Sequence, residues 1–199
     1  MEKETYYDIE DAWTNTFTGK VARPLEPHRT NYCIEDIAHS LSMQCRWNGH
    51  SKIFYSVAQH SVYASDFVRI KGDSAPTSDR DYCFAALMHD ASEAYLCDVP
   101  RPIKGHLGNY KELEEKTELM IQNHFNIIVN PHVLDAVKLV DNELLVRERK
   151  LLVKPAEDMI WGFETFDDAY ISKMLETIEY WSPEKSEEEF LSAFKELNN

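Results

Sequence analysis

From Ile34 onward, apolar residues recur at helical rather than alternating spacing, and no segment carries the two-residue period of a half-buried strand. The periodicity predicts helices near 34–45, 55–70, 81–97, 109–126 and 132–153, with short Pro- and Gly-containing stretches between them. Ser78-Asp79-Arg80 and Asn130-Pro131 read as start signals for the third and fifth of these. From Ser182, SPEKSEEEFLSAFKEL has the capping serine and acidic first turn of a terminal helix. Residues 1–33, with Thr18-Gly19 and the Pro24 to Pro27 segment, read as an irregular arm. The expected fold is therefore all-α and single-domain: an arm (1–33), a helical core (34–153) and an acidic C-terminal segment (154–199).

Three polar positions break the apolar pattern. On a continuous helix over 81–97, Phe84, Leu87, Met88, Ala91 and Tyr95 form one stripe, and His89, Asp90 and Glu93 share the opposite arc with Tyr82 and Ala86. Such a helix is apolar nearly all round, so its few ionisable groups should face a partner or a cavity. Asp141 has Val137, Leu144 and Leu145 at i−4, i+3 and i+4, and a buried carboxylate must be paired or ligate something; an ion pair with Lys138 would satisfy it equally. His60, flanked by Val57, Ala64 and Phe67, would alone fit a hydrogen-bonded core histidine. Taken together, His60, His89, Asp90 and Asp141 offer two imidazoles and two carboxylates, a donor set suited to Zn, Co, Mn or Fe(II). Glu93, one turn beyond Asp90, would stand beside the ion without binding it, where a general acid or base belongs; an exposed Glu in an i,i+4 pair is the alternative.

Composition narrows the function. The 199 residues are 43% hydrophobic and 28% charged, with 6 Gly and 8 Pro, an ordinary globular usage. The 21 basic and 35 acidic side chains leave a formal charge of −14, which argues against binding a nucleic acid polymer or an anionic membrane. Residues 155–199 carry much of the excess, with three lysines, no arginine and twelve acidic residues. Cys33, Cys45, Cys83 and Cys97 form no CxxC pair and read as reduced, mostly buried thiols. The N-terminus has neither a basic start nor an apolar stretch, so a soluble, cytoplasmic protein is expected.

The order His60, then HDxxE at 89–93, then Asp141 resembles the metal-dependent HD-domain phosphohydrolase superfamily. The segments IEDIAHSLSMQCRWNGH (34–50), FYSVAQHSVYAS (54–65), ALMHDASEAYLCDVPRPIK (86–104), VKLVDNELL (137–145) and YWSPEKSEEEFL (180–191) are similar to successive blocks of bacterial and phage 5′-deoxynucleotidases and deoxynucleoside triphosphohydrolases. The resemblance implies an HD-type helical bundle holding one divalent transition metal (Co, Mn, Zn or Fe), with Mg as a further ion for a triphosphate substrate. His60, His89, Asp90 and Asp141 match its ligands and Glu93 its catalytic glutamate. Asp98 matches an acidic substrate position, and Arg46-Trp47 the pair that holds phosphate and crowds the sugar. For Asp98 a turn-capping role, and for Trp47 a place in the core, are the structural alternatives. A guanidinium fork suits phosphate oxygens, and an indole against C2′ would exclude a hydroxyl. Arg101 and Lys104 add positive charge in the following loop, with Lys104 the stronger candidate.

The implied activity is hydrolysis of a 2′-deoxynucleotide phosphate ester, from a mono- or triphosphate such as dAMP or dATP, by a cytoplasmic homo-oligomer. Other HD chemistries are the alternatives: guanosine tetraphosphate or cyclic-nucleotide hydrolysis, or a di-iron oxygenase. A non-catalytic nucleotide-binding protein is another. His106, His124 and His132 lie where dinuclear members of the superfamily place extra ligands; His124 and His132 read here as structural or exposed.

Overall fold

The computed structural model describes residues 12–71, 79–154, 156 and 175–198. Its architecture is all-α. The eight α-helices among the described residues are α1 (Ile34–Met43), α2 (Val57–Lys71), α3 (Asp79–Leu87), α4 (Glu93–Leu96), α5 (Arg101–Lys104), α6 (Tyr110–His124), α7 (Pro131–Leu152) and α8 (Pro183–Leu197). The expected starts at Asn130 and Ser182 are present as caps: the Asn130 side chain accepts from the His132 and Val133 N–H groups, and that of Ser182 from Lys185 N–H. Ser78, the first residue of the third expected start, lies outside the described residues, as do residues 1–11 and part of the acidic segment.

α2 organises the packing. It lies against α1, α3, α7 and α8, and side chains all round it are buried, from Val57, Ala58 and Val62 to Gln59, His60 and Ser61. Its first turns, over residues 57–62, have no solvated face, so each polar group there needs a protein partner or a ligand. One hydrophobic cluster joins Ile37 and Leu41 of α1, Phe84 and Leu87 of α3, Ile121 of α6, Leu144 of α7, and Phe190 and Phe194 of α8.

Three expectations need correction. The helix expected over 81–97 is not continuous: α3 ends at Leu87 and α4 starts at Glu93. Between them the backbone bonds tighten to i→i−3, with Ala91 N–H donating to Met88, Glu93 to Asp90 and Ala94 to Ala91. His89 Nδ1 lies 2.7 Å from the Ala86 carbonyl oxygen, so a side chain stands where the helix ladder would continue. The arm contains a small antiparallel hairpin, Thr14–Asn15 with Val21–Ala22, closed by a turn in which Gly19 takes φ 80°. The four cysteines are free thiols, but only Cys83 is buried and Cys97 is exposed. No helix among the described residues is long and apolar enough to cross a membrane.

Candidate metal centre

The interruption between α3 and α4 turns His89 and Asp90 toward α2. His60 Nε2 lies 3.3 Å from His89 Nε2, and Asp90 Oδ2 lies 3.2 Å from His89 Nε2 and 3.7 Å from His60 Nε2. α7 adds Asp141, whose Oδ1 lies 3.3 Å from His60 Nε2 and 4.0 Å from His89 Nε2. Metal–ligand bonds of about 2.0–2.2 Å place neighbouring donor atoms about 3.0 Å apart at a right angle and about 3.4 Å apart at the tetrahedral angle. The His60, His89 and Asp90 group has the spacing and the donor chemistry to hold a metal ion.

The remote ring nitrogens strengthen this reading. His60 Nδ1 lies 2.5 Å from Glu148 Oε1, and His89 Nδ1 faces the Ala86 carbonyl. Each Nδ1–H thus has an acceptor, which leaves each Nε2 lone pair pointing inward. Two lone pairs meeting among carboxylate oxygens require a cation or a proton between them. Accordingly, although burial opposes charge on the ring, Asp90 and Asp141 push the His89 imidazole up to about 9. Burial likewise opposes ionisation of Asp90, but His89 holds its carboxyl far below the usual range.

Asp141 is paired, though not with Lys138: Arg101 of α5 donates to its Oδ2 and, at 2.6 Å, to Asn142 Oδ1. This leaves Oδ1 turned to the histidines. Arg46 is buried and committed to carboxylates. Its Nε and Nη2 both lie 3.3 Å from Glu148 Oε2, and Nη1 lies 3.3 Å from Asp90 Oδ2. A guanidinium so engaged supports Asp90 before it meets any substrate, which amends the phosphate-holding role implied by resemblance.

A cavity of about 420 Å³ opens beside the centre, within the range of small-molecule sites. Arg46, Trp47, Asp90, Glu93, Asp98, Lys104 and Asp141 all line it. Trp47 and Asn48 take φ 60° and 51°, a left-handed pair that forms the sharp loop at the cavity wall. The structure therefore sets Trp47 in a loop, half-buried, rather than in the core.

Glu93 is 6% exposed, and its Oε2 has no hydrogen-bond partner among the described residues. Burial, then the nearby Asp90 and Asp98 charges, push its carboxyl well above the usual range, which favours the protonated form. Lys104 Nζ lies 3.9 Å from Glu93 Oε1 and 2.5 Å from Glu114 Oε1. Asp98 is held by its backbone, its N–H donating to Gln44 Oε1 at 3.0 Å while Gln44 Nε2 donates to the Glu93 carbonyl. The exposed-Glu alternative for Glu93 falls to its burial, whereas His60 is a buried, hydrogen-bonded histidine that also belongs to the metal-capable group.

His106, His124 and His132 are exposed and belong to no metal-capable group among the described residues; the His124 ring packs against Phe125 and Tyr32. Sequence reasoning missed Glu148 and Gln44. For Glu148 a signal existed, because it follows Leu144 by four residues and Asp141 by seven, on the same face of α7. Gln44 carried none, since its partners are backbone groups 49 and 54 residues away.

No protein-family model matches the sequence. An uncharacterized protein of Rhodobacter capsulatus is 35% identical over 129 residues, covering 63% of this chain and 62% of that protein. The uncharacterized protein YfdR of Escherichia coli K12 is 38% identical over 139 residues, covering 70% of this chain and 71% of YfdR. At that identity and coverage, the chain belongs to the YfdR family.

Proposed function

We propose that the protein is a metal-dependent phosphohydrolase of 2′-deoxynucleotides, releasing phosphate or polyphosphate from a mono- or triphosphate. One observation carries the reading: inward-facing His60 and His89 nitrogens with Asp90 and Asp141 stand beside a cavity that is also lined by the buried Glu93. The likeness of these residues to the HD pattern supports it further.

A divalent ion bound there would act as a Lewis acid on a phosphoryl oxygen and acidify a water. Glu93 would deliver a proton to the leaving ester oxygen, a role favoured by the burial and the acidic neighbours that push its carboxyl up. Lys104 and Arg101 line the cavity and supply positive charge to the phosphoryl group. Arg46 maintains the charge balance around Asp90. Trp47 is the wall against which a deoxyribose would stack, and a 2′-hydroxyl there would meet the indole.

The test is phosphate release from ribo- and deoxynucleoside mono-, di- and triphosphates with Mn, Co, Zn or Mg added in turn. Turnover of deoxynucleotides that depends on a transition metal is expected. Metal binding without release from any nucleotide would overturn the proposal.

A further inference from the structure

Glu148 is 0% exposed and uses both oxygens. Oε1 lies 2.5 Å from His60 Nδ1 and accepts from the Tyr55 hydroxyl at 2.9 Å; Oε2 accepts from Arg46 Nε and Nη2. Through Arg46 Nη1 the same network reaches Asp90 Oδ2. Two members of the metal-capable group thus converge on one carboxylate that itself faces neither the ion position nor the cavity lining. A carboxylate buried this deeply is costly unless its partners are charged or donating, as His60, Tyr55 and Arg46 are here.

We infer that Glu148 is the positioning residue of the metal centre: it fixes the proton of His60 on Nδ1, so that Nε2 presents a lone pair, and anchors the Arg46 that holds Asp90. The inference rests on the metal-site reading above. The local chain geometry is built for this contact. Arg46 N–H donates to the Tyr55 carbonyl at 2.8 Å, and Cys45 and Ser56 form an isolated bridge, so Arg46 and Tyr55 enter the site side by side. Glu148 then meets both from α7, two helical turns after Asp141.

A glutamine at this position could not meet all three partners. Glu148 needs one oxygen for His60 and Tyr55 and another for Arg46, whereas an amide has a single oxygen. An NH₂ facing His60 would force Nδ1 to accept and move the ring proton onto Nε2, blocking the metal. An NH₂ facing Arg46 would set donor against donor and release Asp90.

The test is Co²⁺ titration of full-length wild-type and Glu148→Gln protein, read by calorimetry and by the cobalt visible spectrum, with the metal-free melting temperature of each measured alongside. Loss of affinity by about 10–100-fold is expected, with an altered spectrum in a variant that melts cooperatively. Affinity and spectrum equal to wild type would overturn the inference while leaving the metal site standing. Wild-type protein that binds no Co²⁺ would overturn both. If the variant does not fold, zinc-loaded wild type decides by long-range ¹H–¹⁵N NMR: a proton on His60 Nδ1 with metal on Nε2 is expected, and His60 bound through Nδ1 overturns the inference.

Discussion

Glu93 and Trp47 separate chemistry from binding one side chain at a time. Glu93→Gln keeps the shape of a buried group, and it leaves His60, His89 and Asp90 untouched. Its amide has no acidic proton to give, so phosphate release should fall by about 10²–10⁴-fold with Co²⁺ affinity unchanged by calorimetry; full turnover in the variant would mean that Glu93 is not the proton donor. Trp47→Ala should act on selection instead, lowering the ratio of deoxynucleotide to ribonucleotide turnover by about tenfold, because it opens the wall where a 2′-hydroxyl would otherwise clash. An unchanged ratio would remove the steric account of sugar choice. At this scale the sequence was readable wherever a polar residue interrupted an apolar face, as with His60 and Asp141. It was unreadable where polarity arises from pairing across elements: nothing near Arg46 in the sequence announces its partner Glu148, 102 residues away.

The segment between α3 and α4 shows what helical periodicity cannot resolve. Apolar residues at 84, 87, 88, 91 and 95 keep their spacing through a tight turn almost as well as through a helix, so the pattern extended α3 across its own end. The break nevertheless keeps His89, Asp90 and Glu93 directed to one region, which is why the site was legible although the element was not. α4 then ends at Cys97 with φ 68° and ψ 154°, a region populated almost only by glycine. That strained residue sits between Glu93, whose carbonyl accepts from its N–H at 2.8 Å, and Asp98 at the cavity. Cys97→Gly should therefore raise unfolding stability by about 1 kcal/mol, or about 2–4 °C in melting temperature; a lower melting temperature would argue against strain at this turn. α8 was foreseen as a capped helix, but its role was not, because long-range packing leaves no mark in local spacing. Phe190 is fully buried against the cluster that α1, α2 and α3 share. Phe190→Ala should cost about 3–5 kcal/mol in urea unfolding, and a cost under about 1 kcal/mol would mean that α8 is peripheral to the core.

For the molecule as a whole, the donor groups come from α2, from the turn after α3 and from α7, positions 30 and 51 residues apart along the chain. An unfolded chain cannot hold these groups together, so a metal that uses them binds the native state and stabilises it by mass action. The metal-free protein must meanwhile keep lone pairs and carboxylates together, offset by protons on the imidazoles and by the Arg46 and Arg101 guanidiniums. Adding Co²⁺ at about 100 times its dissociation constant should contribute about 2.7 kcal/mol, raising the melting temperature of a chain this size by about 5–11 °C, and a chelator should reverse the shift. His89→Ala separates this from unspecific ion effects on an acidic protein. The side chain is 13% exposed and bonds only the turn and its site neighbours, so the metal-free variant should still melt cooperatively while losing the cobalt-dependent shift. If wild type and variant shift equally, the ion is acting on the −14 surface charge; if neither shifts, hydrogen bonds and ion pairs alone hold these side chains together.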